Sequence, residues 1–287
     1  MLEIKPRLIA ASPFCVPGFE LLSAYDCISR AGIRMVEVPA ILPHISIAYC
    51  VPTLTPEVMD DRALKMLRDY FASKELEPLT VATFCDLTDS RQTQPVLRRI
   101  KFAQELRARY LIADVSELPS EFALRQKAIT QINEIVDYAD DLGIRICLEI
   151  HDGPTRCGKT ALQFLTTVNN PKLGINYDTG NVFYLNGNVD PAEDIQCIVS
   201  RVTHVHLKDT SGKKGEWEFC TLGTGRVNFK RIFEVLDQAG YEGPYSLEIE
   251  GREGEDFNRT QCVQRIKDSL EYLTTAGLIP RPSSRLT

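Results

Sequence analysis

The chain has 287 residues, 44% of them hydrophobic and 25% charged, the balance of an ordinary globular protein. Its 33 basic and 39 acidic side chains leave a formal charge of −6, which argues against a surface built to neutralise nucleic acid. No stretch has the unbroken apolar length of a membrane helix, so neither nucleic acid nor a membrane is an expected partner.

Short β-rich runs recur along the chain, at 8–11, 35–38, 79–84, 110–115, 144–150, 173–177, 202–207 and 245–249. Segments of helical period lie between them. Ala63, Met66, Leu67, Tyr70 and Phe71 repeat by three or four, as do Ile129, Ile132, Ile135, Val136 and Ala139. The same holds for Phe229, Ile232, Phe233 and Leu236, and for Cys262, Ile266, Leu270 and Leu273. Such spacing puts the apolar residues on one helix face, able to pack on a sheet. Glycines end helices at Ala31-Gly32, Leu142-Gly143 and Ala239-Gly240, where a left-handed C-terminal residue is expected.

Eight strand-then-helix units predict an α/β fold, a (β/α)8 TIM barrel in one domain over residues 1–278. Residues 279–287 are read as a flexible C-terminal tail. An open doubly wound sheet is the rival, but no GxGxxG follows the first strand. Nine cysteines, odd in number and without CxxC spacing, imply a reducing compartment, with Cys27, Cys147 and Cys197 acting as small hydrophobes in apolar stretches. MLEIKPRLIAAS contains no apolar run of signal-peptide length, and the expected location is cytoplasmic.

Two loops stand apart. PAILPHISIAYCVPTLTP, after the second strand, is long and proline-stiffened, and Ile41, Ile45, Ile47 and Tyr49 offer apolar cover. It is read as a wall or lid over the barrel mouth, or else as a subunit contact. DTSGKKGEWEFCTLGTG follows the seventh strand and holds the only tryptophan, Trp217. Its GTG reads as a tight turn before the next helix, with a phosphate cradle of glycine amides as the functional alternative.

Four strand-like runs each deliver a metal-type side chain near their end: Glu149 in RICLEIH, Asp178 in GINYDTGN, His206 in THVHLKD and Glu248 in YSLEIEG. A closed barrel brings all its strand ends to one mouth, so three hard carboxylates and one imidazole can meet around a divalent cation. The duller reading has these carboxylates capping helices or pairing with Lys or Arg. His204 and His206 share a strand face, so spacing does not choose between them. His151 and Lys208 lie two residues beyond Glu149 and His206, which turns them toward the same interior, where they orient substrate or balance the carboxylates. His44, in the long loop, is a further candidate for substrate contact.

LEIH, NPKLGINYDTGN, HVHLKD, LGTGRVNF and GYEGPYSLEIEG, in this order, resemble the xylose-isomerase-like barrel family. It comprises sugar isomerases and epimerases, inosose dehydratases and the endonuclease IV type of repair enzyme. The resemblance runs from Ile144 to Gly251 and is architectural before that. It implies Glu149, Asp178, His206 and Glu248 as metal ligands, with manganese the usual ion and magnesium or cobalt as alternatives. Many relatives carry histidine three positions after the aspartate; Asn181 stands there, a residue suited to binding a substrate hydroxyl but not to metal. That departure and a total of four histidines count against a three-metal nuclease.

The expected activity is a metal-dependent isomerase or epimerase working on a sugar or keto-sugar through a metal-stabilised enediolate. Glu149 and Glu248 are the catalytic acid and base as well as ligands. The alternative is a lyase or dehydratase on a keto-sugar or inosose-type polyol, with a non-catalytic sugar-binding barrel or a repair endonuclease further behind. The expected partner is a small carbohydrate, and the expected assembly a homo-oligomer, dimer or tetramer.

Overall fold

The structure, a computed structural model, describes residues 5–44, 46 and 52–280. Strands β1 (Ile9–Ala11), β2 (Met35–Pro39), β3 (Glu77–Asp86), β4 (Tyr110–Asp114), β5 (Arg145–Glu149), β6 (Gly174–Asp178), β7 (Val202–Leu207) and β10 (Tyr245–Leu247) form the main sheet. They close into a parallel barrel in the order β1-β10-β7-β6-β5-β4-β3-β2. Each of the eight β-rich runs in the sequence is one barrel strand, so the fold is the (β/α)8 barrel. Three short strands, β8 (Asp209–Thr210), β9 (Glu218–Cys220) and β11 (Gly251–Arg252), make a separate antiparallel sheet that the sequence did not announce. Two- and three-residue strands are too short to show a period.

The surrounding helices are α1 (Leu21–Arg30), α2 (Asp61–Ser73), α3 (Thr93–Glu105), α4 (Phe122–Asp141), α5 (Gly158–Val168), α6 (Thr179–Asn186), α7 (Pro191–Asp194), α8 (Phe229–Gln238) and α9 (Arg259–Thr275). In α8 the predicted face holds: Phe229, Ile232, Phe233 and Leu236 are all buried. Each such side chain contributes about 1.5–3 kcal/mol of hydrophobic burial. Gly32, Gly143 and Gly240 have φ of 95°, 74° and 74°, the left-handed helix ends expected of them.

Two expectations need correction. Met66 in α2 is 63% exposed, because the buried face of that helix is Leu64, Leu67 and Phe71, with Tyr70 partly buried beside them. Cys197 is exposed in a 3-10 turn, whereas Cys27 and Cys147 are buried as read. Leu278 and Ile279 are buried, and residues 281–287, most of the expected tail, lie outside the described residues.

The long connection after β2 is fixed at both ends by one buried guanidinium. Arg99 of α3 donates to the Ala40 carbonyl and, at 2.5 Å, to Glu57 Oε1. Ile41 is fully buried, while Ile45, Ile47 and Tyr49, on which the wall or lid was to rest, lie outside the described residues.

Candidate active site

The four strand-end residues meet. Nδ1 of His206 lies 3.5 Å from Glu149 Oε1, 3.7 Å from Asp178 Oδ2 and 3.4 Å from Glu248 Oε2, and all four side chains are buried. Strand register produces this meeting. Asp178 on β6 sits beside His206 on β7, and His206 beside Ser246 on β10, two residues short of Glu248. Asp178 serves two ends at once. Its Oδ1 caps α6 by accepting from the Gly180 and Asn181 amides, both at 2.8 Å, which frees Oδ2 for the cluster. One carboxylate thus caps a helix and still faces the cluster. Gly180 is required by packing: a Cβ there would stand 2.7 Å from Lys208 Cγ.

The donor set fits a divalent cation. Glu149 Oε1, Asp178 Oδ2 and His206 Nδ1 lie within 4.8 Å of one another, and each is buried without a hydrogen-bond partner. Buried polar atoms are normally satisfied, so three unsatisfied donor atoms facing one point call for a shared partner. Glu248 joins at the His206 corner. A second group, Glu37, His204 and His206, is equally close, but His204 Nε2 already contacts Thr80 Oγ1 at 3.2 Å and Ser246 Oγ at 3.1 Å. Its Nδ1 faces Asn176 Oδ1 at 2.6 Å, and Asn176 in turn donates to Glu149 Oε2. His204 is thus a hydrogen-bonded core residue that orients Glu149 through Asn176. Glu37 Oε1, 3.1 Å from His206 Nε2, holds the imidazole from behind with Nδ1 facing the carboxylates.

Burial and charge push the two candidate acid–base carboxylates apart. Burial, reinforced by Asp178 and Glu248, raises Glu149 to about 7 against the pull of His206. Burial would raise Glu248 too, but Lys208 and His206 outweigh it and hold that carboxyl well below its ordinary range. Burial works against protonation of His206 and Lys208, yet the surrounding carboxylates raise both well above their usual values. Burial, with the neighbouring His206, drives His204 far down. Opposed environments for two carboxyl groups are the arrangement that assigns one as acid and the other as base.

Above the cluster opens a cavity of about 310 Å³, at the small end of ligand sites and sized for a monosaccharide. His151, Asn181 and Lys208 all line it, the first and last at the positions that strand alternation turns toward the interior. Lys208 Nζ is 2.6 Å from Glu250 Oε2, 2.8 Å from Glu248 Oε2 and 3.5 Å from Asp178 Oδ2. His151 is half-exposed, 3.6 Å from Asp114, whose charge outweighs burial and raises the imidazole to about 9. Asn181 Nδ2 donates to the Ile150 carbonyl at 3.0 Å. His44 is exposed and is not among the described lining residues.

Several residues in or beside the site escaped the sequence reading. Glu250 was findable, since it stands two beyond Glu248 just as Lys208 stands two beyond His206. Glu37 carried a fainter signal as the single charge in the apolar run MVEVP. Phe14, Phe84 and Tyr184, with Trp217, form an aromatic wall that no pattern announced. Phe84 reaches it through an irregularity of β3, where register shifts between Ala82 and Asp86 and Phe84 takes φ of 51°. A bulge re-aims a side chain in this way, and a non-glycine in that region marks local strain. The GTG loop is a tight turn: Asp209 Oδ2 accepts from the Gly223 and Gly225 amides at 2.8 and 2.9 Å, and Oδ1 from Val227 at 3.0 Å. A Cβ on Gly225 would come within 2.2 Å of that carboxylate.

Comparison with known proteins agrees with this architecture. The chain is 30% identical over 163 residues to L-ribulose-5-phosphate 3-epimerase of Escherichia coli, a stretch that is 55% of this chain and 56% of that relative, little more than half its length. The D-allulose 3-epimerase of Methylomonas sp., solved in complex with D-allulose, superimposes with a TM-score of 0.69 at 18% identity, over 95% of this chain and 98% of that one. A barrel protein of Mycobacterium smegmatis in complex with magnesium also gives 0.69 at 18% identity, over 94% and 97%. At such identity the two superpositions speak for the fold alone. The model of the xylose isomerase-like TIM barrel family matches residues 26–276, and the chain belongs to that family.

Proposed function

We propose that this protein is a divalent-metal-dependent epimerase or isomerase of a small keto-sugar. The observation that carries the reading is the pair Glu149 and Glu248, 3.5 and 3.4 Å from one imidazole nitrogen, with opposed protonation tendencies at the floor of a monosaccharide-sized cavity. The similarity to L-ribulose-5-phosphate 3-epimerase supports the same reaction class. Glu149, Asp178, His206 and Glu248 are the proposed ligands, and manganese is the proposed ion, with magnesium or cobalt able to replace it. When bound, the cation polarises the substrate carbonyl and stabilises the negative charge that develops on its oxygen.

Glu248, held ionised beside Lys208, takes the proton from the carbon next to the carbonyl, and the C–H pair moves into the carbon skeleton. Glu149 returns a proton to the same carbon from the other face and inverts it. Delivery to the adjacent carbon instead interconverts aldose and ketose. A positioned acid or base of this kind contributes about a hundred- to ten-thousand-fold. Asn181, His151 and Lys208 orient the substrate oxygens. The eight described cysteines are all free, which supports a reducing, cytoplasmic setting, and we read the assembly as a homo-oligomer, dimer or tetramer.

The test is incubation of the manganese-loaded protein with ketoses in heavy water. Deuterium incorporation without loss of water is expected, and Glu149→Gln and Glu248→Gln should each abolish it. A new enone absorbance in the ultraviolet would instead identify a dehydratase, and no exchange with any ketose would sink the enzymatic reading.

A further inference from the structure

The cavity carries information about the far end of the substrate. Four carboxylates line it, Asp114, Glu149, Glu248 and Glu250, against one ammonium, Lys208. That ammonium is already committed, with two glutamate oxygens within 2.8 Å. Of the two lining histidines, His206 is the proposed metal ligand and His151 faces Asp114 at 3.6 Å. No arginine is among the described lining residues. Arg265, the described guanidinium with a buried unpartnered nitrogen, packs on Phe257, donates to the Phe219 carbonyl and does not line the cavity. The stretch Ile45 to Val51 brings no lysine or arginine in its sequence.

The second route to a phosphate, backbone amides of a glycine loop near the last barrel strands, is closed as well. The Gly223, Gly225 and Val227 amides all donate to Asp209, so an incoming phosphate would have to displace a buried carboxylate. With its own cations paired to carboxylates, the cavity offers aromatic surface where a phosphate site would offer free cations. Phe14, Phe84, Tyr184 and Trp217 contribute to a lining that is mostly apolar, and the Trp217 ring stands edge-on to Tyr184 at 5.7 Å. Aromatic faces suit the C–H side of an uncharged sugar.

We propose that the site selects an unphosphorylated ketose and discriminates against the same sugar carrying a terminal phosphate. This inference rests on the keto-sugar reading above and narrows its substrate class. It parts this chain from the Escherichia coli relative, whose substrate by name is phosphorylated.

Trp217 is the only tryptophan and lines the cavity, so its fluorescence reports binding directly. The metal-loaded protein is titrated with L-ribulose, L-ribulose 5-phosphate, D-allulose and D-allulose 6-phosphate, with Trp217→Phe confirming the source of the signal. A free ketose should bind at least ten-fold more tightly than its phosphate ester, and the gap should narrow as salt screens the carboxylates. A phosphate ester that binds as tightly, an affinity for it that falls with salt, or no response to either pair would each overturn the proposal. Proton exchange, measured separately in heavy water, distinguishes the two readings. Selective ketose binding without exchange sinks the epimerase and leaves the selectivity standing, while exchange confined to the phosphate esters does the reverse.

Discussion

Replacing Glu37 by Gln tests whether the cluster is organised for a cation. Glu37 is buried in β2, and its Oε1 lies 3.1 Å from His206 Nε2. If Nδ1 is to bind metal, Nε2 must carry the hydrogen, and Glu37 is the group that receives it. Glutamine preserves the size and an acceptor oxygen but removes the charge. A hydrogen bond to a charged group is worth about 1.5–3 kcal/mol and a neutral one about 0.5–1.5, so the loss is about 1–2 kcal/mol, centred near a ten-fold drop in metal affinity. Calorimetric titration with Mn2+ measures the affinity. Thermal melts give an independent figure, because a ten-fold weaker ligand stabilises by about 1.4 kcal/mol less, or roughly 3–5 °C for a domain of this size. Ser246→Ala is the control: it removes a 3.1 Å contact of the neighbouring His204 and should leave metal affinity within about two-fold. Equal affinity in Glu37→Gln and parent, or an equal loss in Ser246→Ala, would refute the role of Glu37 in holding His206.

Without metal, Glu149→Gln and Glu248→Gln should shift stability in opposite directions. Glu149 is raised to about 7 from an unfolded value of 4.5, so its contribution is present below 4.5 and lost as pH climbs through 7. Its replacement should raise the melting temperature in chelator near pH 8, by on the order of 2–3 kcal/mol, with no gain in mildly acidic buffer. Glu248 is depressed, so its contribution is present above 4.5 and fades on acidification, and its replacement should lower the melting temperature near neutrality. Lys208→Met should cost the metal-free protein about 3–5 kcal/mol in urea unfolding, by leaving buried Glu248 and Glu250 without their ammonium. Asp209→Ala should cost at least about 2 kcal/mol, because the Gly223, Gly225 and Val227 amides lose their acceptor together, and Asp209→Asn should cost less. Equal melting of the alanine and asparagine variants would show that the carboxylate does not hold the loop.

The barrel was legible because its signals are local. Alternating or continuous apolar runs and three-four spacings sit within single segments, and glycine marks the helix ends by backbone freedom alone. The strand-end carboxylates were legible at one remove, since closure of eight strands forces their tips together wherever they stand in the chain. What escaped depends on contacts between distant segments or on backbone irregularity. Glu37 reaches His206 across 169 positions, and nothing in MVEVP says which side chain it will meet. Phe84 enters the cavity because β3 slips register and one residue adopts a left-handed conformation, and no residue type advertises that in a phenylalanine. Met66 misled for the opposite reason: it satisfied the period but lies at the edge of the apolar stripe, facing solvent.

The division of partners within the cluster explains how so many buried charges coexist. Lys208 Nζ contacts Glu248, Glu250 and, more distantly, Asp178, whereas Glu149 Oε1 and His206 Nδ1, with Asp178 Oδ2 between, have no hydrogen-bond partner. Lys208 thus offsets the carboxylates of the half of the site that follows β10, while the β5–β6 half keeps oxygens free to meet a cation. Asp178 belongs to both halves, which is why its other oxygen must be fixed by the first turn of α6. Gly180 lets the Lys208 stem pass close beside that turn, since any side chain would push the ammonium away from Glu248. The sequence DTGN therefore records three separate demands within four residues: a carboxylate with two uses, a helix start, and an opening for the lysine of the next strand.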